Sequence, residues 1–233
     1  MFIIADYSSQ EVRILADKTQ DPTLLDALRS GKDLHRITAA ALFEKPEDQI
    51  TPEERKMAKI NLFMSIYGGG VDKMMEQFGL TKQQATKMLS NLFSRYPGIK
   101  EYQDRVSDFS LEHGYMVTDD YIYRKIYVEG YELLRFLEPR KRRQAIGKIF
   151  RDSSNYNIQS TAATMTKLAG IYLRDAGVKL VLCIHDEVVV ECKAEDAERV
   201  KLIVEDCMSR AAKALCKSID IPAEAKIVNQ WTK

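Results

Sequence analysis

Apolar positions recur along this chain at two periods, and the period switches between segments. Phe2-Ile3-Ile4-Ala5 is a short apolar run with β-branched content and reads as a core strand. It ends on Asp6-Tyr7-Ser8-Ser9, which can cap a helix through Val12, Leu15 and Ala16. A short helix over residues 24–28 stops at Gly31, and Asp33 caps a helix over 34–43. Residues 44–52 form a polar loop with two prolines. Pro52-Glu53-Glu54 opens a longer helix, because proline fits the first turn and acids suit its positive end. That helix runs to Gly68-Gly69-Gly70, three residues that stop a helix and permit unusual backbone angles.

Helical periodicity resumes over 72–78, 81–96 and 97–112, and Gly114 ends the last of these. Residues 115–128 are rich in Tyr, Val and Ile and predict a hairpin. Residues 139–175 are mostly helical. Two apolar strands, 178–184 and 188–192, flank a polar His185-Asp186-Glu187 tip. An amphipathic helix over 194–217 and an extended segment over 219–231 complete the pattern. Strands at both ends and helices between them predict an α+β fold: an antiparallel sheet with helices on one face, plus a helical insertion.

Composition narrows the classes. At 233 residues with 45% hydrophobic and 30% charged side chains, the chain is globular rather than disordered. No apolar run approaches the length of a membrane span. An acid at position 6 comes too early for a signal peptide. Cys183, Cys192, Cys207 and Cys216 form no CxxC pair, so neither a zinc knuckle nor a disulfide framework is indicated, and a reduced intracellular setting is expected. A net charge of +1 excludes a highly basic coat but permits a local basic groove.

Three groups of residues could carry chemistry. Asp6 ends an apolar strand and Asp186 sits at the turn of an apolar hairpin. Carboxylates beside a core need compensation, which a bound divalent cation supplies. Two acids from adjacent strands could hold two metals; otherwise Asp6 is a helix cap and Asp186 a turn residue. Arg55, Lys59, Phe63 and Tyr67 recur every four residues and share a helix face. Cations then aromatics suit a triphosphate and a stacking base, or else a solvated pair followed by two core aromatics. His35, on the preceding helix, could add a donor to a phosphate, or be a structural residue. Finally, residues 135–151 hold seven cations against one acid, Glu138, a density suited to phosphate backbone or to a solvated helix face. Arg151, Asn155 and Gln159 continue as one stripe of donors suited to base edges.

These pieces occur together and in order, and the sequence resembles the polymerase domain of family A DNA polymerases, the bacterial DNA polymerase I type. Asp6-Tyr7-Ser8-Ser9-Gln10-Glu11-Val12-Arg13 resembles that family's first palm motif. Arg55-xxx-Lys59-xxx-Phe63-xxx-Tyr67-Gly68 is similar to its fingers helix. Arg151-xxx-Asn155-xxx-Gln159 resembles the helix along the primer–template, and His185-Asp186-Glu187 the last palm motif. Asp33-Leu34-His35 and Asn229-Gln230-Trp231 also have counterparts.

The resemblance implies a palm over 1–32 and 115–233 and fingers over 33–114. It implies that Asp6, Asp186 and the Tyr7 carbonyl hold two Mg²⁺ ions, with Mn²⁺ able to substitute. Arg55, Lys59 and His35 would grip the triphosphate, and Lys59 would protonate the leaving group. Glu11 would reject ribonucleotides, Phe63 would pack by the incoming nucleotide, and Tyr67 would guard the templating position. Arg151, Asn155, Gln159 and His185 would contact the primer terminus and minor groove, with Glu187 a secondary acid. The implied partners are primer–template DNA and dNTPs, and the implied compartment is the cytoplasm of a bacterium or phage-infected cell.

The chain also departs from the family's pattern. Ser9-Gln10 stands where Gln-Ile is frequent; Leu62 stands where Asn is common, with Asn61 one earlier; and residues 121–139 follow the family only loosely. The first palm motif lies five residues from Met1, with no thumb or exonuclease before it. A second polypeptide carrying the thumb, the rest of the palm and perhaps a 3′–5′ exonuclease is therefore expected, a cloned fragment being the alternative. Two other functions compete: a non-catalytic nucleic-acid-binding subunit, which has no need of metal acids, and a single-subunit RNA polymerase, which Glu11 disfavours.

Overall fold

The computed structural model describes residues 1–118 and 124–231. The tip of the hairpin expected over 115–128 lies outside these residues. The chain forms two compact units, one of residues 1–17 and 158–231, the other of 18–118 and 124–157.

The first unit is built on a four-stranded antiparallel sheet in the order β4-β5-β1-β6. Its strands are β1 (Phe2–Tyr7), β4 (Lys179–Ile184), β5 (Glu187–Glu191) and β6 (Ala223–Val228). The β1 run reads as expected because Ile3, Ala5 and Tyr7 alternate inward. They meet helix α9 (Ala197–Leu215), whose Val204, Met208 and Ala211 are buried. The buried Tyr7 hydroxyl donates to the Met208 carbonyl at 2.9 Å, so the one polar tip on that face is satisfied. Val188, Val189 and Val190 of β5 are all buried, β5 being an inner strand paired with both β4 and β1. The last extended segment, expected over 219–231, is strand only at β6, because β1 offers six residues to pair and its pairing ends at Tyr7↔Ala223.

The second unit is mainly helical: α2 (Pro22–Arg29), α3 (Leu34–Phe43), α4 (Pro52–Ile66), α5 (Val71–Phe78), α6 (Lys82–Arg95) and α7 (Pro97–His113). A small hairpin, β2 (Tyr115–Val117) with β3 (Lys125–Tyr127), follows, then a 3₁₀ turn, Tyr131–Phe136. Helix α1 (Gln10–Thr19) follows β1, and helix α8 (Pro139–Asp175) begins in the second unit and ends in the first. Thr51 and Glu54 form a reciprocal capping box at the start of α4. Buried Asp21 caps α2 through the Leu24 N–H and also accepts the Gly98 N–H, both at 2.9 Å.

The α+β architecture is therefore as the pattern predicts. The loop expected over 44–52 contains a short 3₁₀ turn, Glu47–Gln49. Among the described residues all four cysteines are free thiols, and no helix is long and apolar enough to cross a membrane.

Candidate active site

In the first unit the sheet register builds an acidic face. Opposed residues of antiparallel strands share a side, and β1 places Asp6 between Glu187 of β5 and Glu224 of β6. The three carboxylates and Lys226 line one hollow of about 320 Å³ with Ile4 and Ser8. Asp186 joins them from a two-residue turn between β4 and β5. That turn needs a left-handed residue, and His185 supplies it at φ 54° despite its side chain. The Thr166 hydroxyl of α8 donates to the His185 carbonyl at 3.1 Å, which helps to hold the turn. Trp231 donates its indole N–H to Glu187 at 3.2 Å.

Asp6 keeps solvent exposure, yet partial burial of its carboxyl pushes it up to about 6, and the Asp186 and Glu187 charges add to the rise. Like charges opposed across strands are destabilising, so this face is strained without a cation. Among the described residues no group of three or more His, Cys, Asp or Glu side chains is arranged to hold an ion by itself. Two carboxylates nonetheless fit Mg²⁺, which keeps waters and takes substrate oxygens for the rest.

Glu224 was not legible as a site residue. Its only sequence signal is an acid in an alternating extended segment, and the register is needed to set it opposite Asp6. The Ser9-Gln10 departure also has a structural account. Ser9 takes φ 53° and turns the chain into α1, and the Gln10 side chain is buried, donating to the Ala162 carbonyl at 3.4 Å.

In the second unit α3 and α4 carry the other group. The face of α4 that is buried holds Ala58, Leu62 and Ile66. Arg55, Phe63 and Tyr67 are half-buried and Lys59 is exposed, so the two aromatics are not core residues. Asn61 faces inward instead, with the Ser65 hydroxyl donating to it at 3.4 Å. The His35 and Phe63 rings lie 6.3 Å apart. Burial lowers the His35 pKa first, and the Lys59 and Arg55 charges lower it further, so the imidazole is neutral at physiological pH. Its buried Nδ1 has no hydrogen-bond partner, the state of a group awaiting one.

Arg55 donates to Asp33 at 2.5 Å, and the other oxygen of Asp33 caps α3 through the His35 and Arg36 N–H groups. Partial burial raises the Asp33 pKa, but the Arg55 hydrogen bond and the cap outweigh it, so the net shift is downward. Stability from this group is therefore present above the ordinary carboxylate pKa and is lost as pH falls through the lowered native value. Both side chains are more than a third exposed, which limits the pair to less than about 1 kcal/mol after screening. Asp33→Asn should unfold at lower urea than the parent at neutral pH, with the gap closing in acid; a gap independent of pH would show that the pair contributes nothing.

Gly68 ends the α4 motif at φ +65°, and a Cβ there would lie 3.0 Å from Arg151 Cγ and 3.1 Å from Arg151 Cα. The glycine thus lets the end of α4 lie against the first residue of the Arg151–Asn155 stripe. Arg151 is exposed, and the buried Oδ1 of Asn155 has no partner. Gln159 and His185 belong to the first unit, where both are exposed.

The comparisons with known proteins agree with this geometry. The sequence matches the family model for DNA polymerase family A over residues 1–233. The chain belongs to DNA polymerase family A. It is 36% identical over 245 residues to DNA polymerase I of Aquifex aeolicus, covering 100% of this chain and 39% of that one. It is 31% identical over 229 residues to DNA polymerase I of Chloroflexus aurantiacus, covering 96% of this chain and 23% of that one. Among solved structures it resembles the POL domain of Pol1 from M. smegmatis in complex with DNA primer-template and dNTP. The TM-score there is 0.82 at 27% identity, covering 96% of this chain and 38% of that one. The chain thus spans well under half the length of the family A relatives it matches.

Proposed function

We propose that this chain is the catalytic portion of a template-directed DNA polymerase, adding deoxynucleotides to a primer 3′-hydroxyl. The observation that carries the reading is the carboxylate face. Asp6 stands opposite Glu187 and Glu224 across the strands with the Asp186 charge beside it, an arrangement of like charges that suits divalent ions. A non-catalytic subunit would have no use for that strain.

In this reading Asp6, Asp186 and the Tyr7 carbonyl hold two Mg²⁺ ions. When bound, the ions supply Lewis-acid stabilisation of the transferring phosphoryl group and make the primer hydroxyl easier to deprotonate. The protein's own groups position and neutralise the substrate. Arg55, Lys59 and neutral His35 take the triphosphate, with Arg55 leaving Asp33 to do so. Lys59 gives a proton to the departing pyrophosphate. Glu11 hinders a 2′-hydroxyl, Phe63 packs against the nucleotide and Tyr67 stands at the templating position. Arg151, Asn155, Gln159 and His185 contact the primer terminus and minor groove, with the orphaned Asn155 oxygen a ready acceptor. The palm assignment covers residues 1–32 and 115–233 and the fingers 33–114.

A second polypeptide supplies the thumb and remaining palm, with or without a 3′–5′ exonuclease, in the cytoplasm of a bacterium or phage-infected cell. The match covers 39% or less of the length of these relatives. The test is primer extension by the native complex captured through a tag on this chain, offered one nucleotide at a time. Only the nucleotide complementary to the template should be added, and untemplated addition would remove the reading. Phe63 lacks the hydroxyl that favours dideoxynucleotides in the resembling family. Dideoxy incorporation should thus be about tenfold or more below deoxy incorporation and rise in Phe63→Tyr; equal efficiency in the parent would sink that role.

A further inference from the structure

Residues 124–139, within a stretch that follows the family pattern only loosely, carry two strongly exposed aromatic side chains of the second unit. Tyr127 is 75% exposed and Phe136 72%, with Leu133 at 61% between them in sequence. Leaving rings this large in water forfeits the gain of burying them, and together with a dense run of cations they suit a ligand that offers both π faces and charge.

The turn that carries Leu133 and Phe136 is held in place, and the Tyr127 ring lies 6.0 Å from that of Tyr115. The Tyr131 ring lies against Gly114, where an added Cβ would come within 2.6 Å of it. The Tyr131 hydroxyl donates to the carbonyls of Leu111 and Glu112, which pins the 3₁₀ turn onto the end of α7. Two hollows meet at Leu134: one of about 530 Å³ with Arg135 and Arg142 at its margin, the other of about 260 Å³ with Tyr127 and Lys148. Lys148 is already paired with Asp152 at 2.9 Å. The Arg135 guanidinium lies 4.7 Å from the Phe136 ring centroid, and Arg140, Lys141, Arg142 and Arg143 follow, all exposed. The acids Glu129, Glu132 and Glu138 are outnumbered over 124–151, where nine residues are Lys or Arg.

From this combination we infer that the surface around the 3₁₀ turn Tyr131–Phe136 binds single-stranded nucleic acid, stacking unpaired bases on Tyr127 and Phe136 while the following cations take the phosphates. The chemistry selects this occupant. Every unpaired base offers a π face, and base–aromatic stacking beside cations is how single strands are held without sequence preference. A duplex keeps its bases stacked on each other and leaves these rings unused. An acidic peptide would satisfy the cations but not the aromatics. The inference rests on the polymerase reading for the source of the strand, the unpaired 5′ overhang of a template.

The test uses the native complex and two primer–templates differing only in overhang length, one short and one long. The parent should bind the long-overhang DNA about tenfold or more tighter, on the scale of one stacked base. The double variant Tyr127→Ala/Phe136→Ala should lose that advantage while binding and extending the short-overhang DNA like the parent. Tyr127→Phe/Phe136→Tyr, which keeps both rings, should retain it. The inference is overturned if the parent shows no overhang-dependent gain, or if the gain survives removal of the rings. It is also overturned if an acidic peptide competes equally well against the parent and the ring-less variant for this surface. A complex that shows ring-dependent overhang binding but never extends a primer would keep this site and remove the polymerase reading instead.

Discussion

Asp6→Asn is expected to abolish primer extension while making the metal-free protein more stable. The loss should be about 10³-fold or more, since removing a group that organises charge on a transferring phosphoryl typically costs that much. The gain in stability has a separate cause. Asp6 sits opposite Glu187 and Glu224 across the strands and beside Asp186, and each like-charge opposition costs up to about 1 kcal/mol. Asparagine keeps the shape and removes the charge. With divalent ions chelated at neutral pH, urea unfolding of the variant should shift upward by about 1 kcal/mol. If Asp6 were only a helix cap, the substitution would leave both activity and stability nearly unchanged, because asparagine caps as well as aspartate. Opposite signs for activity and stability therefore separate the two readings.

Gly68→Ala is expected to destabilise the second unit more than an exposed helix-end substitution should. The left-handed backbone at φ +65° costs a residue with a Cβ about 1–2 kcal/mol. The new methyl also meets Arg151 at its Cα, 3.1 Å away, and backbone cannot rotate aside. Overpacking of this kind adds about 1–3 kcal/mol. Gly70→Ala is the internal control, because nothing lies within 4 Å of a Cβ there and its φ is negative. Paired urea titrations should show a loss of about 2–5 kcal/mol for Gly68→Ala and little change for Gly70→Ala. Equal effects would mean that the contact with Arg151 does not constrain the end of α4.

The fold was largely legible because its elements carry strong local signals. The alternation of Ile3, Ala5 and Tyr7, the Asp33 cap, the Pro52-Glu53-Glu54 start and the glycines after Tyr67 each have a one-segment cause. What was not legible depends on partners distant in sequence. Glu224 looks like any surface acid until pairing with β1 sets it against Asp6. Arg55 reads as a free phosphate ligand, yet here it is tied to Asp33, 22 residues away. Asn61, one position from the slot where the resembling family carries an asparagine, is turned inward because the helix face is set by Leu62 and Ile66. The exposed rings of Tyr127 and Phe136 lie where sequence reading found only a loose match, since exposure is decided by what packs on the turn.

The central claim is that Asp186 takes part in templated nucleotide addition. The most direct measurement is primer extension with Mg²⁺ by the native complex captured through this chain, comparing the parent with Asp186→Ala at matched DNA occupancy. The account predicts templated extension by the parent and a loss of about 10³-fold or more in the variant, with DNA binding retained. Extension that survives the substitution at the parent's rate would contradict it.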